Sequence, residues 1–394
     1  MRFLICPGGG YGNLHPLVPY AQAMAALGHD VAFATSPAHV QTVASLGFEG
    51  YAVGPADGID EIITAELKPG LRELDQAGRA AIVIDAFATL AQATVTDLAA
   101  VVEHWNPDAL LRDTTALAAW IAGEQAGVPV ALFDFGGVPP AIAARVIGPR
   151  LNRLRDAFGL PADPALATVY RWLVLLGAPP GWSDPGDLPA TAHLLQPPEF
   201  DRAPIQARPP WLDAFGRGRR VIYATLGTVF GDSPDAWDAI FAAAAEEPEL
   251  TMVATTGALA AERLSALPPN VRVARYLPQS YVLDAAAAVI SHAGYGTLMG
   301  ALRRGLPMVC LPMPAADNLR NASRMSALGA GLVVPRAELS PATIRQALRR
   351  VLTEPRFRQA AGRIAAAITA LPPPEHGALL LERLARSREP ITRP

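Results

Sequence analysis

The chain has 394 residues, of which 51% are hydrophobic, and a formal net charge of −3 at pH 7. This length exceeds the size at which a single core keeps growing, so it predicts two domains. The weakly acidic balance excludes the basic surface that binds nucleic acid or an anionic membrane, so neither is an expected partner. The two cysteines, Cys6 and Cys310, lie in apolar runs, which excludes a disulfide framework and indicates reduced, buried thiols in a cytoplasmic protein.

The N-terminal half predicts a doubly wound α/β domain. Arg2–Cys6 has the pattern of a buried strand, Gly8–Asn13 that of a flexible turn, and Leu17–Gly28 that of a helix with apolar residues at helical spacing. Val31–Thr35 predicts the second strand. The turn lacks the dinucleotide-binding fingerprint, because Asn13 replaces its third glycine and no acidic residue ends the second strand. The turn therefore argues against a nicotinamide enzyme.

A change of composition predicts where the first domain ends. Between Leu195 and Gly218 the chain is rich in Pro, Arg and Asp, which is typical of a linker, and a second sheet is expected to begin near Arg220. No uninterrupted apolar run approaches membrane-spanning length, and the nearest candidate, Trp172–Ala178, stops at Pro179. The apolar run after Met1 is too short for a signal peptide, so we expect a cytoplasmic protein.

The segment His292–Thr297 joins a strand pattern, Ala288–Ser291, to a helical pattern that begins at Leu298. Backbone N–H groups without an intrahelical partner point out of a helix start, and the macrodipole adds partial positive charge there. Gly294 and Gly296 let a phosphate approach the backbone closely. The threonine adds a hydroxyl, and the histidine can lend a proton or a positive charge. We predict an anion site, although an ordinary strand–turn–helix junction has the same pattern.

Polar residues flank this segment at other predicted strand ends. Pro307–Pro312 predicts the next buried strand, and Ala316–Ala322 opens another helix. Asp317 and Asn318 are then expected at the carboxyl end of the sheet, where polar groups can hold sugar hydroxyls. Upstream, Tyr223–Thr228 predicts a strand that ends in a second phosphate-compatible turn.

Together these motifs resemble the C-terminal half of the GT-B nucleotide-sugar glycosyltransferases, in particular the bacterial enzymes that decorate polyketide and other natural-product aglycones. Members carry a strand ending in a Leu-Gly-Thr turn, an aromatic-x-Pro-Gln segment, a His-x-Gly-x-Gly-Thr loop, and an Asp-Gln pair before an Asn-Ala helix. The matching segments here are Leu226–Thr228, Tyr276–Gln279, His292–Thr297 and Asp317–Ala322. Tyr276 replaces the Trp or Phe that is common for base stacking, and Asn318 replaces the usual Gln, which shortens its reach by one methylene.

The resemblance implies an α/β fold of two Rossmann-like doubly wound domains that face each other across a cleft. The expected parts are an acceptor-binding domain over 1–200, a linker over 201–218, a nucleotide-sugar-binding domain over 219–375 and a C-terminal helix over 376–394 that crosses back to the first domain. The expected partners are a small-molecule aglycone and a nucleotide sugar, with a homodimer as one alternative for the oligomeric state. The resemblance assigns donor binding to Gly227, Thr228, Tyr276, Gln279, His292, Gly294, Gly296, Thr297, Asp317 and Asn318.

The implied reaction is an inverting transfer of a sugar, often a deoxysugar, to a hydrophobic natural-product acceptor. The donor is expected to be a nucleoside-diphosphate sugar, usually a thymidine derivative in this group, with uridine as the alternative. Negative charge that develops on the leaving diphosphate would be stabilised by His292 and by N–H groups of the glycine-rich turns. Neither a cofactor nor a metal ion is then expected.

The acceptor side departs from the family, which places a His, or in some members an Asp, as general base within a Gly-His-x-x-Pro frame. Here the frame reads Gly12–Pro16, and Asn13, whose amide cannot accept a proton at neutral pH, occupies the base position. His15 is a candidate substitute, but Pro16 predicts that it is a helix N-cap. Asp113 matches the carboxylate that orients the catalytic His, and it is a candidate base itself or a helix N-cap.

Further strand patterns at Pro107–Asp113 and Val128–Phe133 extend the first sheet. The stretch from Gly136 to Trp182, rich in Pro, Leu and aromatic residues, is interpreted as the helices and loops that enclose an apolar acceptor. Ordinary packing helices have the same pattern, because apolar helical stripes are usually core.

Three functions are compatible with these residues. The first is an active glycosyltransferase whose acceptor needs little base assistance, or which uses Asp113 or His15. The second is a non-catalytic homologue that binds a nucleotide sugar or aglycone as an auxiliary protein. The third is an epimerase of the same fold, which is disfavoured because it needs several acid/base residues. The intact donor motif favours the first.

Overall fold

A computed structural model describes residues 1–55, 76–136, 138–201, 207–227, 233–257, 267–313 and 316–393 of the chain. Two compact units are present: Met1–Phe200 together with Ala370–Pro394, and Asp201–Thr369. Both ends of the chain therefore belong to the first unit, and the second unit is continuous in sequence.

The first unit is built on a seven-stranded sheet in the order β3-β2-β1-β4-β5-β6-β7, with all pairs parallel. Strands β1, β4, β5 and β6 are apolar almost throughout and buried, as expected for a parallel sheet covered by helices on both faces. The strands are β1 (Arg2–Cys6), β2 (Asp30–Thr35), β3 (Glu49–Ala52), β4 (Ala109–Asp113), β5 (Val130–Asp134), β6 (Leu173–Gly177) and β7 (Ala192–Leu195).

Helices connect these strands and cover the sheet. They are α1 (Tyr11–Leu14), α2 (Val18–Ala26), α3 (Pro37–Ser45), α4 (Gln76–Trp105), α5 (Leu117–Ala126), α6 (Pro140–Val146) and α7 (Gly148–Ala157). A short 3₁₀ turn, His15–Leu17, joins α1 to α2. Gly28 and Gly127 follow the ends of α2 and α5 with φ of 81° and 66°, the left-handed conformation that lets glycine terminate a helix.

The second unit contains a six-stranded parallel sheet in the order β10-β9-β8-β11-β12-β13. Its strands are β8 (Arg220–Thr225), β9 (Leu250–Thr255), β10 (Val271–Ala274), β11 (Ala286–Ser291), β12 (Met308–Cys310) and β13 (Gly331–Val333). Its helices are α8 (Pro210–Phe215), α9 (Pro234–Ala245), α10 (Ser280–Leu283), α11 (Tyr295–Arg303), α12 (Ala316–Ala327), α13 (Pro341–Thr353) and α14 (Pro355–Thr369). A capping box between Ser340 and Thr343 starts α13.

The last helix, α15 (Pro374–Ser387), packs against α2 within the first unit. Gly377 permits this approach, because a Cβ atom at that position would lie 2.5 Å from the Tyr20 ring. The contact division falls at Phe200 and Thr369, and the segment predicted as a linker over 201–218 belongs to the second unit, where it includes α8. Of that segment, residues 202–206 lie outside the described residues.

Strand order positions the loops that carry the candidate functional residues. In each sheet, successive strands are added toward one edge and then, on the other side of one central strand, toward the opposite edge. This central strand is β1 in the first unit and β8 in the second. Loops at the carboxyl ends of strands on either side of such a reversal diverge and leave a crevice, which is where ligands bind in doubly wound folds. The pairs that flank these crevices are β1 with β4, and β8 with β11.

Two local predictions are wrong. The stretch 136–182 contains not only helices but also the buried strand β6, whose continuous apolar pattern resembles that of a buried helix. The flexible turn predicted over Gly8–Asn13 is interrupted at Tyr11, where α1 begins.

The prediction of two reduced, buried cysteines is confirmed, because Cys6 and Cys310 are both free and buried. Among the helices that the structure describes, none is long and apolar enough to cross a membrane.

Candidate functional site

The His292 imidazole lies between two glycines at the carboxyl edge of the second sheet. Strands β8 and β11 are in register through Thr225 and Ser291, so Gly227 and His292 leave adjacent strands side by side. A Cβ atom added to Gly227 would lie 2.6 Å from His292 Nε2, and one added to Gly294 would collide with the same atom. The absence of a side chain at both glycines therefore makes room for the ring.

The turn that follows His292 is held in an unusual backbone conformation. Ala293 has a φ of 67°, in the left-handed region that costs an L-residue roughly 1–2 kcal/mol. Its N–H donates to Ser291 Oγ at 3.1 Å, and its carbonyl accepts from Asn321 Nδ2 at 3.2 Å. Ser291, Ala293 and Asn321 are all buried. These bonds fix the turn before any ligand is present.

Helix α11 begins directly after this turn with an open N-terminus. Its N-cap, Gly294, has extended backbone angles and no side chain that could satisfy the first N–H groups. Gly296 is exposed and Thr297 is half-buried, so the helix start is accessible to a ligand. Gln279 Nε2 donates to the Gly296 carbonyl at 3.3 Å and ties the preceding segment to this start. An open helix start after a glycine-rich turn is the geometry that the predicted anion site requires.

The histidine at this site is neutral at physiological pH. Its side chain is half-buried, and burial lowers the pKa of His292 to about 4, while an interaction with the Thr225 backbone opposes the shift. The Nδ1 atom has no hydrogen-bond partner among the described residues. Of the two roles expected for His292, hydrogen bonding fits the structure, whereas a standing positive charge does not.

The remaining donor-side residues occupy two other elements of the second unit. Tyr276 precedes α10 and keeps 38% of its surface exposed, which leaves an aromatic face accessible for stacking. Asp317 lies exposed in the first turn of α12, while its neighbour Asn318 is buried. With its amide nitrogen toward Asp317, Asn318 donates to both carboxylate oxygens at 3.3 Å. Thr228 lies outside the described residues.

On the acceptor side, Asp113 is completely buried at the end of β4. Its Oδ2 accepts from Gly8 N at 2.7 Å, and its Oδ1 accepts from both the backbone N–H and the hydroxyl of Thr115 at 2.6 Å. Burial raises the pKa of Asp113, and the bonds from Thr115 and Gly8 oppose that rise. Both carboxylate oxygens are occupied, so the geometry does not place Asp113 to take a proton from an acceptor directly.

Asn13 is linked to this carboxylate through one intervening residue. Its Nδ2 donates to Thr115 Oγ1 at 3.0 Å, and the Thr115 hydroxyl donates to Asp113. Asp113 therefore orients a neighbour, as the corresponding carboxylate does in the resembled family, but here the neighbour is a threonine. The alternative role of Asp113 as a helix N-cap is wrong, because the N-cap of α5 is Ala116 and no side chain bonds to it.

His15 does not have the predicted N-cap position either. Its backbone is helical, with φ −56° and ψ −44°, because α1 has already begun four residues earlier and the 3₁₀ turn continues from it. The ring packs against aromatic rings of Tyr11 and Phe200, with centroid separations of 5.2 and 5.3 Å. His15 and Asn13 occupy the same helical segment, and Asn13 is bonded to the Thr115–Asp113 pair.

A small cavity of about 50 Å³ lies beside these residues at the carboxyl edge of the first sheet. Its wall is mostly apolar, and it is formed by the loop after β1, helix α4 and the start of α5. Thr115 lies in this wall, and sequence reasoning did not single it out. Two threonines that directly follow an acidic strand end were the available signal.

Within the described ranges, no group of three His, Cys, Asp or Glu side chains could hold a metal ion.

Comparison with known proteins relates this geometry to a family. A family model described as "Erythromycin biosynthesis protein CIII-like, C-terminal domain" matches residues 240–384, which include the His292 turn and α11. The chain is 32% identical to 4'-demethylrebeccamycin synthase of Lentzea aerocolonigenes, over 92% of this chain and 94% of that protein. The chain belongs to the GT-B natural-product glycosyltransferases.

Further relatives extend over the whole molecule. This glycosyltransferase is 31% identical to TDP-daunosamine transferase DnrS of Streptomyces peucetius, over 99% of this chain and 98% of that one. Among solved structures, glycosyltransferase VinC in complex with dTDP aligns with a TM-score of 0.74 and 28% identity, covering 98% of this chain and 100% of that chain. The two Rossmann-like parallel-sheet units are thus those of a GT-B enzyme.

Proposed function

We propose that this enzyme transfers a sugar, with inversion at the anomeric carbon, from a thymidine-diphosphate sugar to a hydrophobic natural-product acceptor. The carrying observation is the His292 ring, seated between Gly227 and Gly294 at the open start of α11. A neutral imidazole with an unpaired nitrogen and uncapped helix N–H groups match the oxygens of a diphosphate.

Catalysis follows from where charge develops during the transfer. As the bond between the anomeric carbon and the diphosphate oxygen breaks, negative charge accumulates on the leaving group. Donors that are already fixed around that position stabilise it without reorganising. The bonds that Ser291 and Asn321 make to Ala293 hold the turn in place for this purpose. We propose that these donors take the place of a divalent metal ion.

The nucleotide and sugar contacts are assigned to the flanking elements. The exposed face of Tyr276 is proposed to stack on the base, and a tyrosine ring offers a smaller surface than the usual tryptophan. The Asp317 carboxylate is exposed and is proposed to accept hydrogen bonds from sugar hydroxyls, while the buried Asn318 holds it in orientation. Thymidine is preferred to uridine because a transferase named for a TDP-sugar and a dTDP-bound structure are among the relatives.

The acceptor is assigned to the apolar cavity of the first unit. Its lining includes Val53, Leu90, Ala91 and Leu98, which suit an apolar edge of an aglycone better than a free sugar, and its volume of about 50 Å³ fits such an edge rather than a whole aglycone. Inversion is proposed because a single displacement needs no enzyme nucleophile, and the Asp113 carboxylate is enclosed by three hydrogen bonds. An enclosed carboxylate cannot form a glycosyl-enzyme intermediate of the kind that retention requires.

Calorimetry with thymidine, uridine and guanosine diphosphates tests the donor assignment. Thymidine diphosphate should bind most tightly, and binding should be unchanged by a chelator. His292→Ala should weaken it by about 1.5–3 kcal/mol if the lost bond is to a charged phosphate oxygen. Undiminished binding by this variant would refute the donor site. Incubation with a thymidine-diphosphate sugar and aglycones, followed by mass spectrometry and determination of the anomeric configuration, distinguishes an active enzyme from a binding homologue.

A further inference from the structure

The hydrogen bonds that join Asn13 to Asp113 have a definite direction. A carboxylate can only accept, and Asp113 Oδ1 receives the single proton of the Thr115 hydroxyl at 2.6 Å. Having donated that proton, Thr115 Oγ1 can only accept from Asn13, at 3.0 Å. The amide nitrogen of Asn13 must therefore face Thr115, and its Oδ1 atom, in the same amide plane, points away from the Thr115 hydroxyl.

The surroundings confine Thr115 to this bridging position. A Cβ atom added to Gly8 would collide with Thr115 Oγ1 and would lie 2.6 Å from Ala116 N. The loop after β1 is thus pressed directly against the hydroxyl. The backbone N–H groups of Gly8 and Thr115 hold the Asp113 carboxylate from both sides. Each group in this series of hydrogen bonds is held by the next one. Thr115 and Asp113 together therefore orient the Asn13 amide.

The outer end of this series of hydrogen bonds is the Asn13 Oδ1 atom, which is a neutral hydrogen-bond acceptor. Asn13 is half-buried, and its Oδ1 makes no hydrogen bond to any residue in the part of the chain that the structure describes. Thr115 itself lines the apolar cavity assigned to the acceptor. An amide oxygen can hold an incoming N–H or O–H, but it cannot remove the proton. A deprotonated acceptor substrate is also disfavoured at this position, because its negative charge would lie close to the partial negative charge of the Asn13 Oδ1 atom.

Resting on the proposed transferase function, we propose that Thr115 is a positioning residue that fixes the Asn13 amide, and that this selects a nitrogen nucleophile carrying an N–H over a hydroxyl. The nitrogen lone pair forms the bond to the anomeric carbon while its N–H donates to Asn13 Oδ1. The bond from that carbon to the diphosphate oxygen breaks, and its electron pair leaves with the nucleoside diphosphate. The nitrogen, now positively charged, releases its proton to water. A hydroxyl would need a base during the attack.

The test uses bicyclic to tetracyclic aromatic scaffolds, each as an amine and a phenol, with thymidine-diphosphate glucose and the full-length enzyme. The wild type should prefer the amine of a pair by at least about tenfold in kcat/KM, a lower bound on the roughly 10²–10⁴-fold general-base assistance withheld from the phenol. Equal or greater transfer to the phenols, or no transfer to any amine while thymidine diphosphate still binds, would overturn the inference. Failure to bind the nucleotide would instead count against the proposed function.

Variants on either side of the Asn13–Thr115 bond separate positioning from stability. Thr115→Val removes the hydroxyl, and Asn13→Asp removes the donor at nearly constant volume. Each should lower kcat for the amine by about tenfold with a smaller change in KM, since misorientation acts on the attack rather than on cavity binding. Thr115→Ser should recover most of the loss. The double variant should be no worse than either single one, because both break the same bond. Thr114→Val makes the same chemical change one residue away and should leave kcat unaltered. Additive losses, or a Thr115→Val enzyme with wild-type kcat, would refute the assignment.

Discussion

The ring of His292 occupies the space that a side chain at Gly227 would need, because a Cβ atom there would lie 2.6 Å from His292 Nε2. The two residues lie just beyond adjacent strands, β8 and β11, whose last residues, Thr225 and Ser291, are paired in register. Gly227 has a φ of 79° in addition, so both its backbone conformation and its neighbour require glycine. This double requirement can be tested by separating its two parts.

Gly227→Ala should abolish measurable binding of thymidine diphosphate, because the new methyl group displaces the His292 ring. Gly218→Ala is the matched control: its φ is 76°, close to that of Gly227, but a Cβ atom there meets nothing within 4 Å. Both variants should lose roughly 1–2 kcal/mol of stability from the left-handed backbone. Calorimetry should show nucleotide binding retained only by the control. Loss in both variants would mean that the ring contact is irrelevant.

His292 should titrate with a pKa of about 4 in the free enzyme. NMR of the imidazole signals, assigned by their absence in His292→Gln, measures this directly. The ordinary value is 6.5, so the unfolded chain takes up the proton first as pH falls. The contribution of His292 to stability is therefore complete above pH 6.5 and is lost as pH falls toward 4. A diphosphate should move the midpoint upward, since an anion favours the charged ring. A midpoint of 6.5 in the free enzyme would show that partial burial does not shift the pKa of His292.

Asp113→Ala should impair transfer to the native acceptor more than His15→Ala does. The first change removes the acceptor of three hydrogen bonds and leaves the Gly8 and Thr115 donors buried and unpaired, at about 1–3 kcal/mol for each group. The second removes ring contacts with Tyr11 and Phe200 but leaves the Asn13–Thr115 bond in place. Steady-state kinetics together with thermal unfolding compares the two variants. A greater loss of kcat in His15→Ala would indicate that His15 is the base.

Asn13→His should gain activity toward simple phenols and alcohols. An imidazole can donate one ring N–H to Thr115 Oγ1, as the amide does, and use its other nitrogen as a base. General-base assistance supplies roughly 10²–10⁴-fold, and a gain of about tenfold would already exceed assay error. Asn13→Gln is the control, because its amide cannot take a proton and should bring no gain. An equal gain in both variants would point to altered cavity shape rather than base catalysis.

The donor site was predictable because its parts are local in sequence. A strand, the His292–Thr297 turn and a helix follow one another without a break, and the helix start begins at Tyr295, within the predicted segment. The glycines at the turn follow from what a close backbone approach requires. What the sequence could not indicate is that the glycines make room for the histidine itself. That relationship depends on the register of two strands from distant parts of the chain.

The acceptor site was only partly predictable. Asn13 and Asp113 were singled out because each occupies a family position, but the residue that joins them was not. The Asn13–Thr115 bond spans 102 positions in sequence. The periodic pattern of apolar residues predicts local helices and strands, but it does not predict an individual contact between residues so far apart. The strand β6 was missed for a different reason. A short continuous apolar run has no alternation to distinguish a strand buried on both faces from a buried helix.

The position of α15 has a consequence for how such enzymes can be recombined. Because the first unit includes both Met1–Phe200 and Ala370–Pro394, it cannot be completed before both segments have been synthesised. The second unit is a single uninterrupted insertion between Phe200 and Ala370. Exchanging the second unit between relatives therefore calls for two junctions rather than one, so that the helix with Gly377 stays with the Tyr20 that it packs against. A chimera joined only at the middle of the chain would give the first unit an α15 helix from a different parent.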